Sequence, residues 1–111
     1  MAHSWMMEFV ETPTFTRLVL ALMEDDDYAN LQTALAQRPD MGKIISGGGG
    51  IRKVRWSGCG RGKRGGLRVV YFWDVANGQI WMLQACPKNK QEDLTRDEIK
   101  QLKQLVKRLK S

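Results

Sequence analysis

The stretch that most narrows the fold is Leu67-Arg68-Val69-Val70-Tyr71-Phe72-Trp73-Asp74. Its run of β-branched and aromatic residues favours a pleated strand and shows no helical period. A second strand pattern, Gln79 to Cys86, follows after Asn77-Gly78. Asn-Gly between two such runs is a two-residue hairpin signal, with positive φ favoured at both positions. Ile51 to Trp56 reads as a further strand before the pair, joined to it by the glycine-rich connection Ser57 to Gly66. The middle of the chain is therefore expected to be an antiparallel sheet.

Helices flank it. Met7 to Thr12 reads as a short first strand, and Pro13 suits the first turn of a helix, where its missing N–H costs nothing. Phe15, Leu18, Val19 and Leu22 recur at helical spacing. Glu24-Asp25-Asp26-Asp27 interrupts that stripe, since aspartate disfavours helix interiors and favours caps. A second helix then presents Tyr28, Leu31, Ala34 and Leu35, and Pro39 and Gly42 end it. Near the C-terminus, Thr95 and Glu98 form a capping box, and Ile99, Leu102, Leu105, Val106 and Leu109 line one helix face. The expected fold is α+β in the order β-α-α-β-β-β-α: a small antiparallel sheet, an N-terminal helix pair and a C-terminal helix. The helices would cover one sheet face and leave the other to water.

At 111 residues the chain suffices for one domain. Residues 1–6 read as a leader, tag or alternative start, with the domain spanning 7–111. The leader holds His3, the single histidine. No apolar run approaches the length of a membrane span, and the N-terminus lacks the pattern of a secretory signal. Cys59 and Cys86 lie far apart with no second metal-ligand candidate beside them, so they read as reduced thiols of a cytoplasmic protein. No metal and no cofactor is expected.

Charge is distributed unevenly. Residues 41–73 carry eight bases (Lys43, Arg52, Lys53, Arg55, Arg61, Lys63, Arg64, Arg68) and no acid, within a chain of net charge +6. One region of the fold should build a positive face for a polyanion. Gly60, Gly62 and Gly65 spell a literal G-x-G-x-x-G there. A dinucleotide site needs a strand before the glycines and a helix after them, because the helix N-terminus binds the pyrophosphate. Here a strand follows instead. The Walker pattern fails too, because Lys63 is followed by Arg64.

Strand alternation gives a better reading. Lys53 and Arg55 share one face, Arg52 and Val54 the other. Arg68 shares a face with Val70 and Phe72. Lys53, Arg55 and Arg68 are thus expected to form a cationic sheet face, rimmed by Arg61, Lys63 and Arg64 on a loop whose glycines allow close phosphate approach. Trp56 and Tyr71 fit either base stacking or core packing. The ligand class implied is nucleic acid, with phosphates contacted first.

Several segments resemble one family. Gly49-Gly50-Ile51-Arg52-Lys53-Val54-Arg55-Trp56, Gly62-Lys63-Arg64-Gly65-Gly66-Leu67-Arg68-Val69-Val70-Tyr71, Pro87-Lys88-Asn89-Lys90 and Asp93-Leu94-Thr95 are together similar to the RelE superfamily of bacterial toxins, and within it to the HigB-like, or host-inhibition, branch. The resemblance runs from about Met7 to the end. It implies a microbial RNase-like fold and a toxin of a type II toxin–antitoxin system that cuts mRNA in the ribosomal A site. It also implies restraint by an antitoxin, a helix-turn-helix, HigA-like protein encoded adjacently. Carried over by position, the basic pair of the strand falls on Lys53 and Arg55, the next arginine on Arg68, and the basic residue after the last strand on Lys88 or Lys90. Asn89 joins Arg52, Arg61, Lys63, Arg64 and Lys90 as candidates for RNA and ribosome contact. Relatives place a tyrosine or histidine near the scissile phosphate. This chain has no tyrosine after Tyr71 and no histidine beyond His3, so the general base and acid stay unassigned.

RNA cleavage needs no metal when the 2′-OH attacks the neighbouring phosphate and cations offset the developing charge. Arg68 is assigned to the scissile phosphate and Arg55 to its support, with Lys53 or Lys88 available for proton transfer. Two other readings remain open: a ParE-like toxin acting on DNA gyrase, and a non-catalytic nucleic-acid-binding module.

Overall fold

The structure, a computed structural model, describes residues 7–56, 66–87 and 93–110. Its elements are β1 (Glu8–Glu11), α1 (Pro13–Leu22), α2 (Asp25–Gln37), β2 (Lys43–Ile44), β3 (Ile51–Trp56), β4 (Leu67–Asp74), β5 (Gln79–Pro87) and α3 (Arg96–Lys110). The α+β class and the flanking helices are as the sequence implies. The two-residue strand β2 is additional; it is too short for any periodicity to announce it.

The five strands lie in the order β1-β5-β4-β3-β2. All neighbours are antiparallel except β1 and β5, which run parallel, so the sheet is mixed rather than wholly antiparallel. That pairing follows from the chain path. The chain leaves β1 through the two helices and returns across the sheet before closing on β1 with β5.

Helix starts are set by local chemistry. Thr12 caps α1, accepting from the Phe15 N–H at 3.0 Å, while its hydroxyl donates to the Leu83 carbonyl at 3.1 Å. One side chain thus fixes both the helix start and its seat on β5. Three aspartates occupy the first turn of α2, where the helix dipole favours negative charge. The capping box of α3 forms reciprocally: Thr95 N–H donates to Glu98 at 2.9 Å, and Glu98 N–H to the Thr95 hydroxyl at 3.1 Å.

Both sheet faces are covered, not one. Phe15, Val19, Leu31 and Leu35 of the helix pair pack on Val54, Val69, Tyr71, Ile80 and Met82. On the other side, Leu94, Leu102 and Val106 pack on Ile51, Val70, Phe72, Trp81 and Leu83. β4 is consequently buried on both faces, which explains its unbroken apolar run. A stripe of leucines on α3 fixes which side of the helix is buried but not which sheet face receives it.

The β4–β5 turn also departs from the expected two-residue form. The last pair is Asp74 with Gln79, so the loop spans residues 75–78. Only Gly78 takes a positive φ (63°) there, and Asn77 instead donates its amide to the Asp74 carboxylate at 2.9 Å. Further along, the ladder shifts between Val70 and Tyr71, whose partners are Gln84 and Met82; Leu83 is the extra residue. No helix among the described residues is long and apolar enough to cross a membrane.

Candidate nucleic-acid interface

Pleat and register determine what the basic residues of β3 and β4 can do together. Arg55 is paired with Arg68, Lys53 with Val70, and Lys43 of β2 with Lys53. Residues directly opposite in a sheet project to the same side, with Cβ atoms about 4.5–5.5 Å apart. Lys43, Lys53, Arg55 and Arg68 therefore share the face that carries α3. Like charges directly opposite one another are unfavourable in a sheet. Two arginines set side by side oppose stability and suit a site that gathers positive charge.

Their environments differ. Arg68 is 7% exposed, a cation held deep in the central strand. Arg55 is exposed at the strand surface. Lys53 lies between these extremes: its side chain is 32% exposed, and its ammonium forms an ion pair with Asp93 at 2.7 Å. The Asp93 carboxyl is held below its usual range, first by the hydrogen bond from Lys53 and by that residue's charge, with a smaller contribution from Arg68. Asp93 immediately precedes Leu94, which is buried under α3. Sequence reasoning does not mark Asp93 as part of the site. It stands forty positions from Lys53 in the chain, and only the return of α3 onto this face brings the two together.

The other nominated residues of β3 and β4 fall elsewhere. Arg52 projects to the opposite face, where it donates to the carbonyls of Gly42 at 2.8 Å and Asp40 at 3.3 Å, tying down the segment after α2. Tyr71 is fully buried on that same side. Its hydroxyl donates to the Pro39 carbonyl at 2.7 Å and accepts from the Gly42 N–H at 2.9 Å, and burial pushes its phenol upward. Trp56 packs against the helix-pair core. Of the two roles open to these aromatics, both take the core role. Lys88, Asn89, Lys90, Arg61, Lys63 and Arg64 lie outside the described residues. Trp56, Leu67 and Pro87 are register neighbours, so β3, β4 and β5 share one end, beside Arg55 and Arg68.

The chain that folds this way has a family counterpart. Residues 14–111 match the family model described as the RelE toxin of the RelE/RelB toxin–antitoxin system. The chain belongs to the RelE toxin family. Among solved structures, a RelE-like fold is shared with E. coli toxin RelE, a double arginine-to-alanine mutant in the free state. That match has a TM-score of 0.59 at 13% identity and covers 92% of this chain and 96% of the other. At that identity the structural likeness speaks for the fold alone. Membership in the RelE family makes this chain the toxin side of a toxin–antitoxin pair and implies an antitoxin partner.

Proposed function

We propose that this RelE-family protein is a ribosome-dependent mRNA endonuclease of the HigB-like branch, acting in the cytoplasm through a single domain spanning residues 7–111. The observation that carries the reading is the register: Arg55 stands opposite Arg68, with Lys53 on the same face. A bent RNA strand laid there would meet three cations across two adjacent strands. Arg68, set deep, would hold the scissile phosphate through its planar fork, and Arg55 would support it from the surface. As the 2′-OH attacks, passing its proton to surrounding water while the bond from phosphorus to the 5′-oxygen breaks, negative charge builds on the phosphoryl oxygens, and these guanidinium groups stabilise it without rearranging. Lys53 or Lys88 would offset charge on the departing 5′-oxygen or donate a proton to it. Lys88 and Lys90 would extend contact to the strand, with Asn89 and the basic residues Arg61, Lys63 and Arg64. Alignment of the reacting atoms falls to the ribosome, which holds the message in place. The matching antitoxin is proposed to be a HigA-like helix-turn-helix protein.

Primer extension on mRNA, with and without ribosomes, tests the reading. Transcripts should be cut in translating extracts. Arg68→Ala should slow cutting by about two to three orders of magnitude, the usual cost of removing a charge-stabilising group. Intact transcripts together with blocked DNA supercoiling would instead assign the chain to a ParE-like action on gyrase. RNA binding without cutting would leave a binding module.

A further inference from the structure

In the free protein one cation of this face, Lys53, is already engaged. Lys53 Nζ lies 2.7 Å from Asp93 Oδ1. That carboxylate is held in place by more than the lysine. Its Oδ1 accepts from the Leu94 N–H at 3.2 Å. Leu94 is anchored in the core beneath α3, and Thr95 with Glu98 locks the first turn directly behind it. Asp93 is thus a fixed anion presented to a phosphate-binding cation. It also lies within the field of Arg68.

We propose that Asp93 is a built-in competitor for RNA: it occupies the phosphate position at Lys53 and must be displaced when the strand binds. This rests on the reading that the Lys53–Arg55–Arg68 face holds RNA. The Asp93 side chain is 66% exposed, and exposed ion pairs contribute little. A phosphate chain engaging three cations together can therefore replace it, whereas a lone anion gains too little from Lys53 alone. The arrangement raises the threshold for unspecific polyanions while leaving a correctly seated strand bound, a repulsive element of the kind that creates specificity.

The test is fluorescence anisotropy of a short labelled single-stranded RNA across a salt series, with wild type, Asp93→Asn, Lys53→Ala and the double variant, each checked by thermal melting. Asp93→Asn should bind about two- to fivefold tighter, the scale expected of an exposed ion pair. Its dependence of log affinity on log salt should steepen by up to about 0.7, one single-strand phosphate contact. In the Lys53→Ala background the substitution should have no effect, because the competed site is gone. If Lys53→Ala weakens binding but Asp93→Asn does not tighten it, the competitor role alone is overturned. A gain that persists without Lys53 overturns it as well. If Lys53→Ala binds as wild type does, the RNA face itself fails and the inference with it.

Discussion

Arg52 and Arg55 lie in one six-residue strand and count equally in any charge census, yet the pleat gives them different work. Arg52 is spent on two backbone carbonyls of the segment after α2, and Arg55 stands exposed opposite Arg68. Arg52→Ala should accordingly act on stability more than on RNA, losing about 1 kcal/mol, because the Gly42 carbonyl it meets is part-buried and the Asp40 carbonyl exposed. Chemical denaturation beside anisotropy separates the two effects. The same corner contains Gly42. A Cβ there would meet the Tyr71 hydroxyl at 2.8 Å and the Lys53 carbonyl at 2.9 Å. Gly42→Ala should cost about 1–3 kcal/mol, the range for overpacking. Alternation along β3 makes the Arg52/Arg55 split legible in the sequence. The tight approach at Gly42 is not, because it depends on a tyrosine twenty-nine positions away.

At the scale of elements, what could be read ahead depended on whether the signal was local. The capping box of α3 is a four-residue pattern, and it forms as written. The hairpin dipeptide is also local, but the pairing of Asp74 with Gln79 widens its loop and leaves Gly78 as the one left-handed residue there. The parallel seat of β1 and the side of the sheet taken by α3 depend on contacts far apart in sequence, so periodicity is silent about them. The start of α3 matters doubly, since it also sets Asp93 against Lys53. Thr95→Ala should destabilise the protein by about 1 kcal/mol, the usual cost of losing an N-cap, read as a lower denaturation midpoint with an unchanged slope. The ion pair itself should show in pH dependence. The Asp93 carboxyl is depressed in the folded state, so its contribution is present above the unfolded value and is lost as pH falls through the folded one. The melting temperatures of wild type and Asp93→Asn should differ near neutral pH and converge in acid, once the pH has fallen through the depressed folded-state value. A difference that persists there would mean that Asp93 acts through something other than its charge.

For the whole molecule, the arithmetic of charge makes a distinction that net charge alone does not. A total of +6 attracts any polyanion, but the sheet concentrates Lys53, Arg55 and Arg68 on one face while the helix pair carries acids elsewhere. If three cations each engage one phosphate of a single strand, log affinity should fall with log salt at a slope of about −2 once Asp93 no longer opposes Lys53, from roughly 0.7 per contact. A fourfold rise in salt would then weaken binding roughly twentyfold on the same counterion-release relation. Arg68→Ala should reduce the slope by about 0.7, as should Arg55→Ala, because each removes one contact. Charge-neutralising changes on the exposed side of α3, such as Lys100→Gln, should lower affinity with little change in slope if that helix contributes only a distant field, which salt screens within about 10 Å. Equal slope losses from α3 and from the strand pair would instead spread the interface over the helix. That outcome would move the phosphate path off the sheet, and the pairing of Arg55 with Arg68 would no longer support the proposed RNA site.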